Sequence, residues 1–278
     1  MKNFYQLTIA IAIGFALVIG TTQSVFAQAN DIKGGPLKAG DLLKDPNPNG
    51  DGLRENQSDN KNWITKWYGP DGNYENNGGF QASAPKDFID EGSGGKLTQP
   101  KLSTVAGLNL TKTVDMEWKG GNGGTRQWTV FELDPANPSN MNRDGPVDNI
   151  DTYGMIVIHS PAARKAVMSP AHDDHAQIWI NGEKWYNNSR WTGGAQTILH
   201  NVEVDLKKGA NVLLYRVGES GGDAYINLHF DDKTHKESKI YPDKSKDQKS
   251  FFQEVAGVLD VQPAGKLTTI WADIKRNR

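Results

Sequence analysis

The sequence predicts an all-β protein: an antiparallel β-sandwich of the jelly-roll kind, carrying a short C-terminal helical tail. Three observations predict it. Short stretches of alternating or β-branched residues follow one another closely between Trp63 and Phe230, with no sustained helical period between them. Asn181-Gly182 separates two aromatic, β-branched runs, and a two-residue Asn-Gly link is the strongest short hairpin signal, since both central residues of a type I′ turn need positive φ. Thirty glycines and many Asn and Asp residues supply the turns.

The 278 residues are enough to bury a sizeable core. A formal net charge of −2 offers no basic footprint, so nucleic acid is not an expected partner. With no cysteine, disulfides, thiolate metal sites and cysteine nucleophiles are excluded.

Taken in order, Lys2, the 14-residue apolar run Leu7–Gly20 and the small-residue end Ser24–Ala27 have the three parts of a secretory signal peptide, residues 1–27. The apolar run is short for a span of ~20 residues, so a soluble, exported mature protein is expected, periplasmic or extracellular, with no membrane span. Residues 28–60 are polar and are expected to be a linker. Within them, Asp45, Asn47, Asn49 and Asp51 resemble the start of a calcium loop. The twelfth position holds Asn56 instead of the bidentate Glu such a loop needs, and Pro46 and Pro48 stiffen it.

Residues 61–232 are expected to be the sandwich. Trp63–Tyr68 is an aromatic strand closed by Gly69-Pro70-Asp71-Gly72, and Val114–Trp118 and Gln127–Leu133 are further short strands. After a polar loop, Asp134 to Asp151, the run Tyr153–His159 reads as a buried strand. The Asn-Gly hairpin then pairs Gln177–Ile180 with Glu183–Tyr186. Ile178, Ile180 and Trp185 are placed on the core face, and Gln177, Trp179, Lys184 and Tyr186 on the other. Thr197–Leu206, Asn211–Val217 and the alternating Ala224–Phe230 complete the strands. Residues 233–250 are charged and read as a second linker; in the tail, 251–278, Leu267, Ile270, Trp271 and Ile274 share one face of a possible helix.

The hairpin is preceded by His172-Asp173-Asp174-His175, where a loop feeds the chain into the sheet. Adjacent carboxylates repel unless a cation or donors compensate, and calcium accepts several oxygens in a flexible shell, so Asp173 and Asp174 are candidate calcium ligands. The alternative is that they cap backbone N–H groups in a turn. A zinc site on His172 and His175 lacks a third ligand. Trp191, Trp179, Tyr186 and Tyr225 are candidate platforms for a sugar ring, an aromatic being flat, apolar and polar-edged. Trp191 lies in a polar loop and is the best exposed of these, whereas Trp185 and Trp128 are assigned to the core.

The succession Ala171–Trp185, Val204–Leu214 and Ala224–Phe230 resembles the galactose-binding-like and protective-antigen-type sandwich modules, over about Tyr153 to Phe230. That resemblance implies a carbohydrate-binding domain of a bacterial protein. In its lectin-like members an Asp-Asp pair at the place of Asp173 and Asp174 holds a calcium ion that binds sugar hydroxyls. Here the flanking histidines depart from the usual small residues. No nucleophile elbow, phosphate loop or His-Glu-x-x-His is present. The expectation is therefore a non-catalytic glycan-binding module, with calcium as its candidate cofactor. The rivals are a polysaccharide hydrolase or lyase with carboxylates in the Asp134–Asp151 loop, and a surface-assembly protein that docks through its tail.

Overall fold

A computed structural model describes residues 32–38, 40–43, 62–119, 123–143 and 147–259. The expected signal peptide, the calcium-loop resemblance at 45–56 and the helix placed at Leu267–Lys275 lie outside these residues.

The first half of the chain runs β1 (Ile32–Lys33), β2 (Lys66–Pro70), β3 (Tyr74–Glu75), four short helices α1 (Gly79–Ser83), α2 (Phe88–Gly92), α3 (Gln99–Leu102) and α4 (Val105–Leu110), then β4 (Met116–Trp118), β5 (Gly124–Arg126) and β6 (Trp128–Glu132). The second half is β7 (Ile150–Ser160), β8 (Arg164–Asp173), β9 (His175–Ile180), β10 (Glu183–Asn188), β11 (Val202–Leu206), β12 (Gly209–Gly218), β13 (Tyr225–Phe230), α5 (Asp232–Glu237), β14 (Lys239–Tyr241) and α6 (Gln248–Leu259). A four-stranded sheet, ordered β1-β11-β8-β13, faces an eight-stranded one built on the path β10-β9-β12-β7-β2-β6. All pairings are antiparallel except β1 with β11. The expected antiparallel sandwich is therefore the fold.

Alternation decides which residues fill it. Ile226, Leu228 and Phe230 of β13, and Val202, Val204 and Leu206 of β11, point into the space between the sheets, where they meet Ile156, Ile158, Ile178, Ile180 and Tyr215. The larger sheet is buried on its other face as well. Tyr153, Met155 and Val157 of β7, Val212 and Leu214 of β12, and Trp179 pack there under Phe88, Leu102 and Leu108 of the helical cap and Phe251, Val255 and Leu259 of α6. Burial on both faces is why β7 and β12 read as unbroken apolar runs.

The hairpin turn is as expected, with Asn181 at φ 54° and Gly182 at φ 91°. Its register is not. A bulge between Lys184 and Tyr186 sets Tyr186 opposite Ile178, so Trp185 and Tyr186 both enter the core between the sheets, and Tyr186 does not share a face with Trp179.

The described parts of the two expected linkers are structured. In 28–60, residues 32–38 and 40–43 lie along the sandwich: Gly34 N–H donates to Glu203 O (3.1 Å), Gly35 N–H to Trp185 O (3.0 Å), Leu37 N–H to Lys184 O (2.7 Å) and Leu43 N–H to Asn187 O (2.9 Å). Backbone pairing at a sheet edge needs no side-chain pattern, so polar composition hides it. In 233–250, Asp231 caps α5 by accepting from Thr234 N–H at 2.8 Å, and β14 pairs with β7. A C-terminal helix is present as α6, upstream of the stretch where the sequence placed one, and its Phe251 ring stacks on Tyr68 at 4.3 Å between centroids.

Between the larger sheet and the cap lies a fully buried ion pair. Arg216 of β12 donates through Nε to Asp151 Oδ2 at 2.5 Å, through one terminal nitrogen to Ser83 O at 2.7 Å, and through the other to Lys86 O at 2.8 Å, Gln177 Oε1 at 3.1 Å and Gln99 Oε1 at 3.2 Å. Burial, the largest single effect, would lower its pKa, but the charge and hydrogen bond of Asp151, with Tyr153 and the Asp87 charge, together outweigh burial and hold the pKa above the ordinary value. One guanidinium thus fastens three cap segments to the sheet.

Candidate functional site

β8 belongs to one sheet and β9 to the other, and Asp174 is the single residue between them. The Asp-Asp pair is thus a corner where the chain crosses the sandwich. Asp174 N–H donates to Gly218 O (3.1 Å), and its Oδ2 accepts from Ser220 N–H (3.3 Å), which ties the corner to the end of β12.

That tie brings in Glu219. Oxygens of Asp173, Asp174 and Glu219 lie within 4.8 Å of one another. Glu219 is buried; its Oε1 accepts from Gly221 N–H, while no hydrogen bond among the described residues reaches its Oε2. Burial, then the charge of Asp174, pushes the Asp173 carboxyl up to about 8, and the same two causes push Glu219 up to about 7. Three carboxylates meet here, and among the described residues no ion pair offsets them.

A hard divalent cation fits this donor set. It would take oxygen ligands from Asp173, Asp174 and Glu219, satisfying the unpartnered Oε2 and relieving the mutual repulsion that adds to burial in raising the two pKa values. The sequence reading lacked Glu219. Its signal was the acidic, glycine-rich turn Gly218-Glu219-Ser220-Gly221-Gly222-Asp223, which follows a buried strand directly.

The histidines serve otherwise. His172 is buried, with Nδ1 on Asp174 O and Nε2 on the Tyr186 hydroxyl, both at 2.8 Å, and burial pushes its pKa down to about 3. Both ring nitrogens are engaged, and His175 of β9 bonds Asn187 Oδ1 through Nε2 at 2.8 Å, so the two do not form a zinc site.

Of the candidate platforms, Trp191 stays open, 58% exposed, in the loop between β10 and β11. It is joined to the acidic corner through Thr192, whose N–H donates to His172 O at 3.2 Å and whose hydroxyl lies 3.1 Å from that of Tyr225, the pairing partner of Asp173. Gly193, at φ 79°, sits under the indole: a Cβ there would come within 2.9 Å of the ring. Trp179 and Tyr186 are corrected. Trp179 is 3% exposed under the cap and Tyr186 is wholly buried by the bulge, so neither presents a face to a sugar. Trp185 and Trp128 are buried, as assigned.

The described acidic residues of the Asp134–Asp151 loop do not converge. Asp134 Oδ1 accepts from Ala136 N–H (2.9 Å), Asp148 is exposed, and Asp151 is the partner of Arg216. Among the described residues no helix is long and apolar enough to cross a membrane.

A cavity of about 780 Å³ opens on the cap side of β9 and β10, bordered by Leu42, Phe80, Lys86, His175, Gln177 and Lys184. Gln177 and Lys184, placed by the sequence on the amphipathic hairpin face, do line a concave surface.

No protein-family model matches this chain, and no curated protein matches it. Among solved structures, the chain is similar to a GH31 α-xylosidase from Xanthomonas citri, at 10% identity and a TM-score of 0.31, over 43% of this chain and 14% of that one. It is also similar to a family 35 carbohydrate-binding module from Clostridium thermocellum, at 16% identity and a TM-score of 0.23, over 37% of this chain and 78% of that one.

Proposed function

We propose that this chain is an exported, non-catalytic carbohydrate-binding protein that holds calcium with Asp173, Asp174 and Glu219 and stacks a sugar ring on Trp191. The convergence of three carboxylates around a buried oxygen with no partner carries the reading. Neutral ligands would leave the repulsion in place, whereas a dication removes it. The exposed indole, one residue from Thr192 and tied through it to the same corner, adds a flat apolar surface beside the ion, and the resemblance of residues 153–230 to galactose-binding-like modules supports the pairing of ion and sugar.

Thermal melting of chelator-treated protein with and without calcium chloride tests it. An ion binding only the folded state adds RT ln(1 + [L]/Kd), about 2.7 kcal/mol at a hundred times Kd. Glu219→Gln, and separately Asp173→Asn with Asp174→Asn, should remove the increment, and glycan-array signal should depend on calcium in the parent protein only. An unmoved melting curve at millimolar calcium would return the two aspartates to turn capping.

A further inference from the structure

The cavity beside β9 and β10 is separate from the acidic corner, and its chemistry is of the opposite sign. Its two ammonium groups are Lys86 and Lys184. Asp87, the carboxylate on its rim, is committed: Oδ1 accepts from Asp90 N–H at 3.0 Å as the cap of α2, and Oδ2 from Gln99 N–H at 2.8 Å. Lys184 is half-buried over the Trp179 ring, 4.9 Å from its centroid, with no carboxylate in ion-pair reach among the described residues. Burial, with the Arg216 charge behind it, lowers its pKa.

The buried ion pair also sets how the cavity floor presents itself. Gln177 and Gln99 both turn their oxygens to Arg216, leaving their amide nitrogens with long bonds only: Gln177 Nε2 to Ala84 O and to Asn187 Oδ1, both at 3.3 Å, and Gln99 Nε2 to Lys86 O at 3.5 Å, all to residues that also line the cavity. The floor is therefore rich in donors that are weakly engaged. One acceptor stands among them. Asn187 Nδ2 donates to Asp41 O at 2.7 Å, which fixes its Oδ1 toward His175; His175 Nε2 must then carry the proton, and its buried Nδ1 is left as a lone pair with no partner. Phe80, whose ring lies 6.4 Å from that of His175 at an interplanar angle of 27°, together with Pro85 and the 56% exposed Leu42, supplies apolar walls.

We infer that this cavity binds a small organic carboxylate with a flat apolar body: the carboxylate on Lys184 and the glutamine amides, the body against Phe80. The volume lies within the range of small-molecule sites, ~300–1,000 Å³. An anion supplies what Lys184 lacks, and charge-assisted bonds to it are the strong kind.

The probe is 4-hydroxybenzoate, titrated into the full chain and followed by amide chemical shifts, with 4-hydroxybenzyl alcohol as the neutral counterpart. The expected result is saturable shifts confined to residues 80–87, 175–177 and 184–189, with the alcohol binding at least about tenfold more weakly. Lys184→Met keeps the stem over Trp179 and should weaken the benzoate by about tenfold or more; Lys86→Met, at an exposed position, should weaken it too and serves if the first variant does not fold. Absence of saturable shifts at millimolar 4-hydroxybenzoate, equal binding of the alcohol, or undiminished binding by both lysine variants would overturn the inference.

Discussion

Replacing Arg216 by Met tests what holds the helical cap to the sheet. Met occupies much the same volume as the Arg stem, so the packing under Phe88 and Tyr153 is largely kept and the loss is electrostatic. Asp151 is wholly buried, and without Arg216 its remaining side-chain partner is Asn76 Nδ2 at 2.9 Å. Breaking a buried pair from one side costs about 3–5 kcal/mol, because the remaining charge is buried and uncompensated. Four further bonds, to Ser83 O, Lys86 O, Gln99 and Gln177, go with it. At roughly 2–4 °C per kcal/mol for a domain of this size, the melting temperature should fall by about 6–20 °C. Urea unfolding followed by tryptophan fluorescence gives the energy, and hydrogen exchange should place the early loss of protection in residues 79–110, ahead of β7 and β12. Adding Asp151→Asn removes the stranded charge, so the double variant should be more stable than Arg216→Met alone. A cost under about 1 kcal/mol, or a double variant no better than the sum of the singles, would refute the claim that this pair fastens the cap.

Trp191→Ala should abolish most glycan-array signal while moving the melting temperature little, since an indole 58% exposed contributes mainly to recognition. His235, which accepts from Phe230 N–H at 3.1 Å, must be neutral to do so, and burial holds its pKa below the ordinary value. A base whose folded pKa is lowered gives stability that is complete above the unfolded value, ~6.5, and is lost as pH falls below it, at up to ~1.4 kcal/mol per pH unit. His235→Gln should therefore flatten the acid side of the urea-stability profile between about pH 6.5 and the onset of acid unfolding, relative to the parent; parallel profiles would assign the acid loss to other groups.

Much of the sandwich was legible because alternation and turn chemistry are local signals. Ala224–Phe230 and the Asn181-Gly182 turn stand where the sequence put them. The hairpin face was misread because a bulge leaves no mark in composition, and a single inserted residue moves Tyr186 from one side of the sheet to the other. The cap was missed because helices of four to six residues are too short to show a period, although their caps, Asp87, Thr98 and Thr104, are each in the sequence. At the acidic corner, Asp173 and Asp174 announced themselves by adjacency, whereas Glu219 joins them only through the folding of β12 against β9. The Arg in Leu213-Leu214-Tyr215-Arg216-Val217 was a visible anomaly, a charge inside an apolar run, and such a charge calls for a buried partner.

The strap of residues 32–43 has a consequence beyond its own hydrogen bonds. β10 ends the larger sheet, and β11 would end the smaller one but for β1. An open strand edge is a row of unpaired donors and acceptors ready to recruit a strand from another molecule. By bonding to Glu203 O on one side and to Trp185 O, Lys184 O and Asn187 O on the other, a single segment occupies both borders at once. A polar stretch with no strand signature thereby keeps neighbouring copies from adding a strand at these two borders, which lowers the tendency of the protein to associate edge to edge.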